Sequence, residues 1–198
     1  MLVINKPAGL LSVPGNTIEK QDCLISRVQL DFPEALIVHR LDMATSGLMV
    51  LARGKASHRT LSILFQNRAV EKIYHAVVAG KFAEQQGIVE LPLITDWPNR
   101  PRQMVDHTQG KKSITHYRVE AYDAEQGSSR VELKPYTGRT HQLRVHMQAI
   151  GHPILGDRLY AEQDMQLKAE RLLLHSTNLY FCHPETNSPL RFHSPIPF

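Results

Sequence analysis

The stretch Leu36-Ile37-Val38-His39-Arg40-Leu41-Asp42-Met43-Ala44-Thr45-Ser46-Gly47-Leu48-Met49-Val50-Leu51-Ala52 sets two apolar, partly β-branched runs on either side of a polar connection. Runs of that kind read as two buried strands. Arg40 precedes Leu41 on the first strand, so alternation places it on the same side as Asp42. Asp42 itself falls just before a Ser46-Gly47 turn, presented rather than packed. A carboxylate so placed can act as a nucleophile or a base. It is equally at home as an N-cap or turn aspartate, a frequent use of Asp before Thr-Ser-Gly.

Outward from this segment, Lys55 to about Arg68 carries Leu61, Leu64 and Phe65 at helical spacing between basic and polar residues, which predicts an amphipathic helix. Ile73 to Ala79 alternates as a strand that ends at Gly80, with Tyr74 facing opposite to Ile73. Segments Ile114 to Glu120 and Arg130 to Lys134 read as two more strands, paired antiparallel across a Gly127-Ser128-Ser129 turn. Thr140 is placed to cap a helix that turns Leu143, Met147 and Ile150 to one face and stops at Gly151. Arg144 follows Leu143 and so borders that apolar face, where it can point into a cleft. Arg139, Thr140 and His141 at the helix start can hold phosphate through cationic side chains and free backbone amides. Strands outnumber helices and do not alternate regularly with them, which makes the expected class α+β with a mixed, largely antiparallel sheet.

The chain has 198 residues, which fits one domain over 1–198, and no repeat or low-complexity tract divides it. Its formal net charge of +4 is compatible with a polyanionic partner and is also common among soluble proteins. Cys23 and Cys182 are the two cysteines, too few for a disulfide scaffold or a cysteine zinc site. Met1-Leu2-Val3-Ile4 is interrupted by Asn5, Lys6 and Pro7, so no signal-peptide core forms. No apolar run approaches the length of a membrane span. A cytoplasmic location away from membranes is therefore expected. Eleven histidines invite a metal reading, but His141 and His146 are five apart rather than four, so no metal is expected. Gly54-Lys55, Gly80-Lys81 and Gly110-Lys111 lack the upstream glycine and the following Ser or Thr of a phosphate loop. Asp42 is likewise without the second aspartate of an aspartate-nucleophile phosphatase, whose place is taken by Ala44.

His39-Arg40-Leu41-Asp42 followed by Thr45-Ser46-Gly47 resembles the signature of the RluA family of pseudouridine synthases. The likeness continues in Asn5-Lys6-Pro7-Ala8-Gly9-Leu10, in Lys72-Ile73-Tyr74-His75-Ala76, and in Thr137-Gly138-Arg139-Thr140-His141-Gln142-Leu143-Arg144-Val145-His146. Gly151-His152-Pro153-Ile154-Leu155-Gly156-Asp157 and Leu173-Leu174-His175 complete a series that runs in the family's order over nearly the whole chain. Asp96-Trp97-Pro98-Asn99-Arg100-Pro101 is similar to a loop of the family's dual-specificity members, which act on both large-subunit ribosomal RNA and transfer RNA.

The resemblance implies a mostly antiparallel sheet split by a basic cleft, and an isomerase that turns uridine in RNA into pseudouridine. That reaction adds no atoms, so no cofactor is expected. It needs a nucleophile or electrostatic stabiliser, a group near C5 of the base and a water-poor pocket. Asp42 matches the family's catalytic aspartate, whose attack on ribose, addition to the base or removal of a ribose proton are the alternatives. Arg144 matches the arginine that keeps it ionised. Tyr74 can stack on the target uracil or assist loss of the C5 proton, and is otherwise a core tyrosine. Arg40 is expected either to enter the space left by a flipped nucleotide or to meet a phosphate. The likeness further implies RNA stem-loops as partners, in large-subunit ribosomal RNA and the transfer-RNA anticodon arm, bound by a monomer. A member specific for ribosomal RNA alone and a catalytically silent RNA-binding factor are the competing readings. The family's optional S4 RNA-binding domain has no counterpart in the sequence, and its usual strand before the N-K-P element would precede Met1.

Overall fold

A computed structural model describes residues 1–198. Chain order gives β1 (Leu2–Lys6), α1 (Leu24–Asp31), β2 (Ala35–Ile37), β3 (Ser46–Arg53), α2 (Gly54–Gln66), β4 (Glu71–Ala79), β5 (Gln86–Glu90), β6 (Leu93–Thr95) and β7 (Gln103–Val105). There follow β8 (Ile114–Asp123), β9 (Ser128–Pro135), α3 (Gln142–Ala149), α4 (Gln163–Leu167), β10 (Leu174–Cys182) and β11 (Pro189–His193). This is the expected α+β class: β1-β3, β2-β3, β10-β11, β4-β9, β8-β9, β5-β8 and β6-β7 pair antiparallel, and β3 pairs parallel with β10. The residues divide into two compact units, one of Met1–Lys72 with His175–Pro197, the other of Ile73–Leu174 with Phe198.

In the first unit β1, β3 and β10 lie side by side, with β2 also on β3 and β11 on β10. β3 is the central strand, and all of its residues before Arg53 are buried. Leu48, Val50 and Ala52 of β3 pack with Leu61, Leu179 and Phe181, and Leu64 and Phe65 lean on the same cluster. The amphipathic stripe read for α2 therefore supplies core. Ser46 and Gly47 open β3 and are not a turn; the chain reverses earlier, where the Thr45 amide donates to the Asp42 carbonyl at 3.1 Å. Gly47 is required for packing: at φ +112° a Cβ there would lie 2.3 Å from the Ser176 carbonyl oxygen of β10. Arg40 and Asp42 lie in the connection between β2 and β3, outside either strand, so strand alternation does not set their directions.

The second unit carries the antiparallel series β4-β9-β8-β5 and a separate β6-β7 hairpin. β8 and β9 pair as their alternation predicted, Val131 and Leu133 fully buried, but Ser128 and Ser129 belong to the strand and the turn is made by residues 124–127. Ile73 and Tyr74 are both buried, because β4 is covered on both faces. α3 stops at Gly151, whose φ of +85° is the left-handed C-terminal conformation expected. Its N-cap is His141 at φ +53°, with Thr140 one residue outside the helix.

Candidate active site

The loop that carries Asp42 is held from its backbone. Ser12 Oγ donates to the Leu41 carbonyl at 2.7 Å and accepts the Leu41 amide at 3.2 Å. Lys6 is completely buried, and its ammonium donates to the carbonyls of Pro7 at 2.9 Å, Leu10 at 2.8 Å and Met43 at 3.2 Å. The Gly9 amide donates to the same Met43 oxygen at 2.8 Å. An ammonium withdrawn from water is costly unless its donors are used, so these carbonyls are part of why Lys6 can sit here. The segment from Lys6 to Ser12 thus clasps the residues on both sides of Asp42. The Asp42 side chain is itself only half-buried, while Arg40 and Met43 are exposed.

His39 anchors the start of the loop. Its Nε2 accepts the Val50 amide of β3 at 2.9 Å, and its ring stacks on Phe65 with centroids 4.4 Å apart. Burial, with the charge of Lys72 a lesser cause, lowers its pKa to about 3. The ring is neutral at physiological pH with its proton on Nδ1. Beyond the loop, Ser46 Oγ meets His175 Nδ1 at 2.7 Å and His175 Nε2 meets Ser194 Oγ at 3.0 Å, a buried chain that ties β3 to β10.

Tyr74 and Arg144 belong to the second unit. Tyr74 sits on β4 opposite Leu133 of β9. Arg144 is not at the edge of an apolar face: α3 is buried along Gln142 to Met147, and the arginine is 4% exposed. Its Nε and Nη2 donate to Oδ2 and Oδ1 of Asp157 at 2.8 and 2.7 Å. Asp157 Oδ1 also accepts the amides of Leu159 and Tyr160, and the Tyr160 ring lies 5.0 Å from the guanidinium carbon. This bidentate geometry fixes the arginine's plane and position. The neighbouring Gly156 lets the Arg171 backbone come close, since at φ +73° a Cβ would fall 2.0 Å from the Arg171 carbonyl oxygen.

Arg139, Thr140 and His141 lie together before α3, with Arg139 and Thr140 exposed. The amides at this helix start are partly spoken for: Gln142 Oε1 accepts the Arg139 amide at 3.0 Å, and the Gln142 amide donates to the Arg139 carbonyl at 3.2 Å. His141 Nδ1 meets the Tyr160 hydroxyl at 2.6 Å. His146 is buried between Thr115 Oγ1 and the Leu91 carbonyl, and burial lowers its pKa. Neither histidine is arranged as a metal ligand. A different group, His75, Glu120 and Glu132, brings one ligand atom each within 4.8 Å of the others from three adjacent strands. Arg118 already stands among them, 3.4 Å from Glu120 and 3.1 Å from Glu132, so a divalent ion would have to displace a guanidinium.

Over residues 1–149 the chain matches the sequence profile of the RNA pseudouridylate synthases. The chain belongs to that family. Among its relatives, the dual-specificity RNA pseudouridine synthase RluA of Yersinia pestis is 52% identical over 192 residues, 97% of this chain and 93% of the relative. The protein of the same name from Escherichia coli (strain K12) is 50% identical over 198 residues, all of this chain and 90% of the relative. The solved structure of human RNA Pseudouridylate Synthase Domain Containing 1 superposes with a TM-score of 0.82 at 31% identity, covering 99% of this chain and 80% of the human one.

Within a pseudouridine synthase, Lys6, Ser12, His39, Asp157 and Tyr160 are residues with structural work beside the predicted site that spacing alone did not single out. Lys6, His39 and Asp157 stand in matched motifs. The signal for Asp157 was the arginine itself, since a guanidinium on a helix with buried neighbours needs a carboxylate. Ser12 had no local signal, because its partner Leu41 lies 29 residues away.

Proposed function

We propose that this protein isomerises uridine to pseudouridine in RNA stem-loops, with Asp42 as the catalytic carboxylate. The observation that carries the reading is the Asp42 loop, whose backbone is clasped at Leu41 and Met43 while the carboxylate stays half-open to a substrate. Catalysis by a positioned charge gains most when the geometry is set before the substrate arrives. In the reaction the bond from uracil N1 to ribose C1′ breaks, the base turns, C5 bonds to C1′, and the C5 proton is lost to solvent while N1 gains one. Asp42 initiates the cleavage or stabilises the charge it develops. Tyr74 and Arg144 keep the roles the motif match implies, as does Arg40 toward the flipped nucleotide. The chemistry is internally balanced, so no metal, nucleotide or flavin takes part.

The substrates we propose are hairpins of large-subunit ribosomal RNA and of the transfer-RNA anticodon arm. Support comes from the relatives named dual-specificity and from the physics of loops, whose bases are partly unstacked and cost less to extract. The protein works as a monomer, with residues 1–198 as one catalytic domain, in the cytoplasm where these RNAs are found. The test is tritium release from C5-labelled uridine in isolated hairpins of both classes, with purified protein and EDTA present. Turnover on both is the expected result. Activity confined to assembled ribosomal particles would reject the dual reading, and dependence on added zinc or magnesium would reject the cofactor-free chemistry.

A further inference from the structure

We infer that Trp97 and Arg100, at the tip of the β6-β7 hairpin, form a stacking subsite for an unpaired nucleobase of the bound RNA, an inference that rests on RNA as the substrate. Trp97 is the chain's single tryptophan and is 64% exposed. One exposed aromatic side chain is ordinary on a protein surface. This one is distinguished by what holds it. The Arg100 guanidinium carbon lies 4.1 Å from the ring centroid, so a cation already covers the indole. The loop beneath is tightly bonded: the Asp96 amide donates to the Arg102 carbonyl at 3.0 Å, the Asn99 amide to the Asp96 carbonyl at 3.1 Å, and the Arg102 amide to the Asn99 carbonyl at 3.0 Å. The Asn99 side-chain amide also spans both Asp96 carboxylate oxygens, at 3.1 and 3.0 Å. An aromatic platform fixed in this way loses little entropy when a ligand stacks on it.

The surroundings select the ligand. Residues 96–112 contain Arg100, Arg102, Lys111 and Lys112 against Asp96 and Asp106. Both acids are engaged locally, Asp96 by Asn99 and Asp106 by the amides of Thr108 and Gln109. What the hairpin presents outward is therefore cationic. The Gln103 amide donates to the Tyr160 hydroxyl at 2.8 Å, and that hydroxyl meets His141, which links the hairpin to the start of α3 beside Arg139. An aromatic face flanked by cations fits single-stranded RNA, where the base stacks and the neighbouring phosphates are neutralised. A membrane surface would call for more exposed apolar side chains than Trp97, and its loop neighbours are Pro98, Asn99 and Arg100.

Because no other tryptophan contributes, intrinsic emission reads this position directly. The experiment titrates the wild-type protein with the two hairpins while following indole fluorescence, and compares tritium-release kinetics of Trp97→Leu and Trp97→Phe. Expected are saturable quenching, a KM raised on the order of tenfold in Trp97→Leu with kcat within about twofold, and recovery of most of the loss in Trp97→Phe. Unchanged emission on hairpins that are bound and turned over would overturn the subsite and leave the proposed function standing. So would wild-type kinetics in Trp97→Leu, which would show that the indole carries no RNA contact. Quenching by hairpins that are not turned over would support the subsite while the proposed activity failed.

Discussion

Ser12 and Lys6 touch no substrate atom in the proposed reaction, yet they govern where Asp42 can be. Replacing Ser12 by Ala strips the Leu41 amide and carbonyl of their shared partner in a buried place, at a cost of about 1–3 kcal/mol in stability. The expected kinetic outcome is a lowered kcat with KM little changed, since the loop loosens without altering the RNA-binding surface. A kcat equal to wild type in a variant measurably less stable would show that the clasp is structural only. Asp157→Asn should be harsher, because it breaks the bidentate charged pair that fixes a buried guanidinium, and breaking such a pair costs about 3–5 kcal/mol. Urea unfolding measures this, and a loss under 1 kcal/mol, far below that order, would contradict the bidentate pair. His39 gives a pH signature. Its folded pKa of about 3 lies below the ordinary 6.5, so between those values the unfolded chain holds a proton that the folded chain does not. Stability is then complete above about pH 6.5 and falls as the pH drops toward 3, by at most about 1.4 kcal/mol per unit from this residue. His146, also lowered by burial, adds to the same slope. His39→Phe should flatten the dependence between pH 6.5 and 5, and an unchanged slope would mean that the ring is not held neutral.

At the scale of elements, the stripe of α2 is the most exposed to a simple test. Leu61 is completely buried against β3 and β10, so Leu61→Ala should destabilise by about 2–5 kcal/mol. A change below 1 kcal/mol would place the helix elsewhere. This element, the β8-β9 pair and the glycine stop of α3 were legible because each is a local period or a local cap. The start of α3 was not: Thr140 has the right chemistry for a cap, but the chain enters the helix through a left-handed His141 with no side-chain cap, and Gln142 instead holds the preceding loop by accepting the Arg139 amide. The Ser-Gly pair has the composition of a turn but opens β3 for a related reason. Gly47 is demanded by the backbone of Ser176, which spacing along the chain cannot reveal. The parallel β3-β10 ladder, joining Ser46 to His175, and the short strands β6, β7 and β11 left no periodic trace either.

For the whole molecule, the α+β class and the family were readable because matched motifs recur from Asn5 to His175, whereas the partners of Lys6, Ser12 and Arg144 needed the folded chain. Binding of either hairpin should weaken log-linearly with salt as phosphate contacts release counterions. Filter binding between 50 and 200 mM salt, the range over which such contacts normally show about 10³-fold or larger effects, would expose a salt-independent affinity that contradicts a basic RNA surface. The proposal that Asp42 performs the chemistry is tested most directly by Asp42→Asn, which keeps the shape of the side chain and removes its charge. Tritium release from C5-labelled hairpin RNA should vanish while hairpin affinity stays within about threefold of wild type, a difference well under 1.4 kcal/mol. Appreciable release by the asparagine variant would contradict the account.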